Sequence, residues 1–242
     1  MRIVRARDYE DMSRKAANII AAQVQLKPDC VLGLATGSTP IGAYQRLVEA
    51  YKSGDLDFSQ VRTYNLDEYR GLTHDDPQSY HYFMNDNLFG HVNIDPANTH
   101  VPDGSNPDAD AACAEYDEMV AAAGYPDLQL LGIGNNGHIG FNEPDTCFSK
   151  GTHCVDLTES TIEANSRLFD NIEDVPRQAY TMGTHTIMSA RSILVVANGE
   201  KKAQAVYDMC FGPISPSCPA SILQLHANVT LIADDAALAL CK

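Results

Sequence analysis

Positive charge is what this chain has least of. Seventeen Lys and Arg stand against thirty-two Asp and Glu, a formal charge of −15. Nucleic acid and anionic membrane surfaces are therefore unfavourable partners. An anionic small molecule would need local positive charge set against that field. Long apolar runs are also missing, and nothing approaches the roughly 20 residues that span a bilayer. The seven cysteines (30, 113, 147, 154, 210, 218 and 241) are odd in number and contain no CxxC pair. Neither a disulfide framework nor a zinc site is expected, and the thiols read as reduced, in a cytoplasmic protein. The N-terminal MRIVRARDYEDMSRK is polar and charged, unlike a signal peptide. Asn228-Val229-Thr230 fits the glycosylation pattern by chance. Internal repeats, low-complexity segments and long linkers are absent too. At 242 residues and 44% hydrophobic, the chain suits one domain over residues 1–242 with a full core.

What is present alternates between helix and strand patterns. Residues 8–26 read as a helix with Ile19, Ile20 and Val24 on one side and Pro28 past its end. Cys30 to Leu34 reads as a buried strand turning through Ala35-Thr36-Gly37-Ser38-Thr39 into a helix with Pro40 in its first turn. Val61 to Asn65 is the next strand, 78–89 a helix, 108–124 an alanine-rich helix and 127–133 a strand. Ser192 to Asn198 is a strand followed by a helix from about 200 to 209. Asn228 to Ala233 is a last strand before a short terminal helix. Such alternation implies an α/β fold with a mostly parallel sheet and right-handed crossovers.

Three segments carry candidate chemistry. In LGIGNNGHIGFNEP (131–144) an apolar strand runs into a glycine-rich loop, the position where open α/β folds place ligands. The glycines do not open a helix at once, so a dinucleotide fingerprint fits poorly. His138, a proton shuttle near neutral pH, and Glu143, five residues on, can face one small ligand. In Leu34 to Pro40, free backbone N–H groups and two or three hydroxyls gather at a helix N-terminus. They either cap the helix or bind phosphate, and the run of small hydroxylated residues exceeds what capping needs. The Gly-Lys pair of a P-loop is absent. In YNLDEY (64–69) an acid follows a strand, as a general base or as a solvated turn. The loop Gly71 to Pro77, with His74, Asp75 and Asp76, hints at metal but reads as solvated. Arg167 and one of Lys201 and Lys202 are the cations of interest, because a basic residue in a helix's first turn opposes the dipole unless an anion sits there.

Together these stretches resemble the glucosamine-6-phosphate deaminase family. LGLATGSTP (32–40), YNLDEYRGL (64–72), DPQSYHYFM (76–84), LGIGNNGHIGFNEP (131–144), EANSRLFDN (163–171), YTMGTHTIMSA (180–190) and PASILQLHANVT (219–230) carry the resemblance over most of the chain. It implies a Rossmann-like three-layer α/β/α fold and conversion of glucosamine 6-phosphate and water into fructose 6-phosphate and ammonia. By motif, Asp67 would move a proton from C2 to C1 of the open-chain sugar. His138, with Glu143 as its carboxylate partner, would open the ring. Thr36, Gly37, Ser38, Thr39, Arg167 and Lys202 would hold the 6-phosphate. No metal or organic cofactor is implied, and the segment of about 157–180 resembles a mobile lid.

Asn136 departs from the pattern, standing where some members carry an aspartate. An amide can orient imidazole by hydrogen bonding but cannot stabilise its cation by charge. Longer members form hexamers activated by N-acetylglucosamine 6-phosphate. Here the segment from Asp145 to Asp156 has only Lys150 as a fixed cation. No such activation is expected, and a monomer or small homo-oligomer is. A 6-phosphogluconolactonase is the nearest rival, disfavoured by Phe141-Asn142-Glu143-Pro144 after the histidine. A galactosamine-6-phosphate deaminase/isomerase differs only by an epimer. A repressor's sugar-phosphate sensor domain would need a helix-turn-helix and basic charge, and this chain has neither.

Overall fold

A computed structural model of the chain describes residues 1–166, 169 and 171–241. Among the described residues the strands are β1 (Arg2–Ala6), β2 (Val31–Leu34), β3 (Arg62–Asn65), β4 (Asp67–Tyr69), β5 (Thr99–His100), β6 (Leu128–Leu131), β7 (His153–Asp156), β8 (Gln178–Thr181), β9 (Ile193–Ala197) and β10 (Val229–Asp234). The α-helices are α1 (Tyr9–Leu26), α2 (Ile41–Lys52), α3 (Tyr80–Asn87), α4 (Ala109–Ala122), α5 (Glu159–Asn165), α6 (Thr184–Met188) and α7 (Ala203–Phe211). Seven strands make one sheet in the order β1-β10-β9-β6-β2-β3-β5, every neighbouring pair parallel. With helices flanking it, this is the expected Rossmann-like three-layer α/β/α arrangement with a mostly parallel sheet.

The central strands form where the sequence runs apolar without alternation. Ile193 to Ala197 is buried at every position, as a parallel strand covered on both faces must be. α1 begins where the Asp8 carboxylate accepts the Asp11 N–H at 2.8 Å. It then buries Met12, Ala16, Ile20 and Val24 at helical spacing.

The structure also contains what the sequence pattern did not announce. β4, β8 and β7 form a separate antiparallel sheet in that order. Over it lies a second apolar cluster that includes Tyr69, Tyr80, Phe141, Ile162 and Val175. The polar N-terminal stretch forms the edge strand β1. The expected C-terminal helix is instead a run of turns over 235–240. Six residues are too few for a stable helix without strong packing, and the Asp234 carboxylate holds the turn by accepting the Ala237 N–H at 2.8 Å.

One buried carboxylate ties three elements beneath the sheet. Asp127 accepts from Lys27 Nζ (2.8 and 3.0 Å) at the end of α1 and from the Val31 N–H (2.9 Å) opening β2, and Arg191 Nε lies 3.4 Å away. Burial alone would raise its pKa, but these partners outweigh that and hold it below the ordinary value. Its stabilisation is thus present above pH ~4 and lost as pH falls through the folded value. Asp127→Ala should cost about 1–3 kcal/mol, because the buried Val31 N–H loses its acceptor. Asp127→Asn, which keeps an acceptor, should cost less, with a deficit that shrinks towards pH 3. Urea unfolding of both variants at pH 7 and pH 3 measures this.

Candidate active site

Chain order across the sheet reverses between β2 and β6. From β2 the chain moves outward to β3 and β5, then returns to β6 and continues to β9 and β10 on the other side. Ligands in open α/β sheets bind outside the carboxyl ends of the strands at such a reversal. A cavity of about 290 Å³ lies there, walled by the segments that follow β2, β3, β6 and β9. It gathers Thr36, Gly37, Ser38 and Thr39, then Asp67, Asn136, His138 and Lys202. Lys202, not Lys201, faces it. Arg167 lies outside the described residues.

The loop after β6 is folded by short local bonds. Gly134 N–H donates to His138 C=O (2.9 Å) and Gly137 N–H to Gly134 C=O (3.1 Å). A Cβ on Gly134 would lie 2.5 Å from the His138 ring, so only glycine lets the imidazole lie back on its own loop. Gly140 has φ +57°, and a Cβ there would meet the Thr181 hydroxyl at 2.9 Å and Asp67 Oδ2 at 3.4 Å. Its bareness lets the loop and the carboxyl of Asp67 approach. Phe141 N–H donating to Thr181 Oγ1 (3.0 Å) and Asn142 Nδ2 donating to Met182 C=O (2.8 Å) pin the loop to the smaller sheet.

His138 Nδ1 lies 3.3 Å from Glu143 Oε2, and Asn136 Nδ2 donates to the same oxygen at 2.6 Å. Asn136 Oδ1 accepts the backbone N–H of His138 at 3.2 Å, so the amide orients the residue through its main chain and not through its ring. The carboxylate of Glu143 is largely buried, which alone would raise its pKa. Hydrogen bonds from His138, Thr161 and Asn136 overcome this and bring it down to about 2. Glu143 is therefore an anion at neutral pH.

Asp67 behaves in the opposite way. It opens β4, paired with Thr181 of β8, and is 5% exposed. Burial, together with the neighbouring charge of Glu68, pushes its pKa up to about 8 against a hydrogen bond from Thr36. Glu68 is buried as well, but it accepts backbone N–H groups from Tyr69 (2.8 Å), Tyr80 (2.9 Å) and His81 (3.0 Å). Those donors favour the ionised form. Burial outweighs them, and the Glu68 carboxyl is also pushed up, to about 7. Lys202 pairs with no carboxylate among the described residues, and burial lowers its pKa. A cation so placed favours an anionic ligand.

Tyr80 and Thr161 also line the cavity, and sequence reasoning did not single them out. Neither lies at the end of a strand of the large sheet. α3 brings Tyr80 in because Glu68 holds its first turn, and α5 brings in Thr161. Glu143 itself borders a second cavity of about 330 Å³ on the other side of its loop, with Asp145, His153 and Asp156. Among the described residues no group of three or more His, Cys, Asp or Glu could hold a metal ion. Nor is any helix among them long and apolar enough to cross a membrane.

Comparison with known proteins places the chain in a family. A glucosamine-6-phosphate deaminase from Halothermothrix orenii is 56% identical over 240 residues, covering 99% of this chain and 100% of the relative. One from Clostridioides difficile is 54% identical over 237 residues, covering 98% of this chain and 95% of the relative. A solved structure of a monomeric glucosamine-6-phosphate deaminase matches with a TM-score of 0.96 at 47% identity, over 99% of this chain and 100% of that one. A 6-phosphogluconolactonase from Thermotoga maritima has a TM-score of 0.77 at 20% identity, over 96% and 99% of the two chains, and shares the fold. The family model for glucosamine-6-phosphate isomerases/6-phosphogluconolactonase matches residues 6–232. A match of that length, beside relatives more than half identical over nearly the whole chain, makes this protein a member of the glucosamine-6-phosphate isomerase/6-phosphogluconolactonase family.

Proposed function

We propose that this protein is a glucosamine-6-phosphate deaminase, converting glucosamine 6-phosphate and water into fructose 6-phosphate and ammonia. The observation that carries the reading is a buried Asp67, its pKa raised by burial, in one cavity with Lys202 and with His138, whose Nδ1 lies 3.3 Å from Glu143 behind it. The relatives above half identity are deaminases, whereas the lactonase is similar in fold alone.

In this reading the 6-phosphate lies on the Thr36–Thr39 segment and Lys202, with Arg167 as a further cation. With Nδ1 of His138 held by Glu143, Nε2 is left to take the proton of the anomeric hydroxyl and return it to the ring oxygen. The ring opens without net change in charge. Asp67, once ionised, takes the C2 proton, giving an enolamine, and delivers it to C1. Water then adds to the resulting C2 imine, and ammonia leaves. Acid, base and water suffice for these steps. Asn136 acts by fixing Glu143 and the backbone of His138. The chain is proposed to be one domain whose segment of about 157–180 closes over the open-chain intermediate, although its last residues, 178–180, belong to β8. It is further proposed to work in the cytoplasm as a monomer or small homo-oligomer, like the monomeric relative.

Asp67→Asn should lower ammonium release by at least about 10²-fold, the scale of a lost general base. Full activity in the variant would remove Asp67 from its role, and no release by the wild type from glucosamine 6-phosphate would overturn the whole reading. Galactosamine 6-phosphate, run in parallel, reports the epimer preference.

The raised pKa of Asp67 has two pH consequences. The base works ionised, so kcat/KM should rise from pH 6 to pH 8, tested on the wild type at constant ionic strength. Below about pH 4 the group is neutral in both folded and unfolded chains. As pH rises the unfolded chain ionises first, so wild-type stability falls between about pH 4 and pH 8. Asp67→Asn should have the higher Tm at pH 8, with the difference closing towards pH 4.

The second cavity bears on regulation. Glu143, Asp145 and Asp156 border it, with His153 as its one basic lining residue. A second sugar phosphate would meet carboxylates there. Rate curves should be hyperbolic and unchanged by N-acetylglucosamine 6-phosphate, and a sigmoidal curve made hyperbolic by that compound would contradict this.

A further inference from the structure

Glu143 divides its two oxygens between separate parts of the chain. Oε2 belongs to the loop after β6, where it meets Asn136 Nδ2 and His138 Nδ1. Oε1 belongs to α5: the Thr161 hydroxyl donates to it at 2.6 Å, and the Thr158 hydroxyl lies 3.4 Å away. Thr158 Oγ1 also lies 3.0 Å from Thr161 Oγ1, placed to donate to it. It accepts the Thr161 N–H at 3.3 Å as the N-cap of α5. The hydroxyls form a short chain, Thr158 to Thr161 to Glu143, in which each bond polarises the next. Thr161 is buried, yet it lines the cavity.

A carboxylate's terminal torsion is broad, so one oxygen does not stay aligned merely because the side chain is packed. Fixing Oε1 fixes the plane of the group and hence the direction in which Oε2 faces the imidazole. A short bond from a hydroxyl to an ionised carboxylate is among the stronger hydrogen bonds available for this. The donor sits on α5, not on the site loop. The geometry of the His138–Glu143 pair is then tied to the seating of α5 against the loop.

We propose that Thr161 is a positioning residue whose hydroxyl holds Glu143 in register with His138, so that the pair is competent only while α5 is seated. The inference rests on the ring-opening role proposed above for His138 and Glu143. When α5 moves away, Glu143 loses its Oε1 donors and its alignment. Ring opening then waits for closure, so the reactive open-chain sugar forms only in the covered site.

The test is a double-mutant cycle on ammonium release from glucosamine 6-phosphate, using Thr161→Val, Thr161→Ser, Glu143→Gln and Thr161→Val/Glu143→Gln. Thr161→Val keeps the shape and removes the hydroxyl. It should lower kcat about tenfold, with KM within about twofold and Tm within a few degrees of wild type. Thr161→Ser should retain kcat within about threefold. In the Glu143→Gln background Thr161→Val should change kcat less than about twofold, since interacting residues are not additive. The inference fails if Thr161→Val matches wild type, if Ser and Val are equally impaired, or if the tenfold loss persists without Glu143. Should the Val variant not fold, Thr161→Ala is read the same way. An inactive wild type, or an unimpaired Glu143→Gln, would instead overturn the functional reading beneath it.

Discussion

The structure turns on a single peptide unit at Leu66. Its N–H donates to Leu34 C=O (3.1 Å), continuing the parallel pairing of β3 with β2, and its C=O accepts the Met182 N–H (2.7 Å) beside β8. Within one residue the chain passes from the large parallel sheet to the small antiparallel one. The next residue is Asp67. A carboxyl carried on a free loop would find water. Here two sheets fix the backbone on either side of it, and the side chain lines the switch-point cavity while only 5% exposed. The raised pKa of Asp67 is a consequence of that handover.

Glu68 completes the arrangement. It points away from the cavity's reacting groups into the N-terminus of α3, where backbone donors hold it. The two acids are neighbours in sequence, and the alternation of a strand sends them to opposite environments. One environment is a helix N-terminus with three backbone donors, and the other is the cavity, where Thr36 donates to Asp67. Burial raises the pKa of both, and only Asp67 faces the ligand's space. Tyr80, whose N–H bonds Glu68 and whose ring walls the cavity, shows that the same contact also shapes the ligand's space.

The parallel sheet was legible in the sequence because its strands are buried on both faces and read as apolar runs, Ile193 to Ala197 most plainly. The strands that escaped are of another kind. β4 (DEY), β7 (HCVD) and β8 (QAYT) are three or four residues long and mostly polar, and β7 pairs with β8 across some twenty intervening residues. Tertiary context decides such strands, and no local propensity announces them. β1 is an edge strand with only Ala6 fully buried, so its pattern looks like exposed coil. The site divides along the same line. Thr36 to Thr39, Asp67, His138 and Glu143 lie in segments that follow strands, where strand-end reasoning looked, whereas Asn136 and the choice of Lys202 over Lys201 came with the family resemblance. Thr161 and Tyr80 reach the cavity on α5 and α3, which do not follow strands of the large sheet.

The charge balance of the chain gains its sense at this point. A net charge of −15 ought to repel a phosphate ester, yet the cavity holds Lys202, a desolvated cation with no carboxylate partner among the described residues. Across the same cavity stands Asp67, an acid whose burial disfavours its charge. An anion is therefore favoured at Lys202, and a cation beside Asp67 would favour that acid's ionised form. The proposed substrate answers both, its phosphate at Lys202 and its 2-ammonium group towards Asp67. Hexose phosphates without an amino group answer only the first. Binding of the amino sugar would also favour ionisation of Asp67, so the base is charged as its substrate arrives. Selectivity for an amino sugar then follows from the same desolvation that sets the pKa of the base.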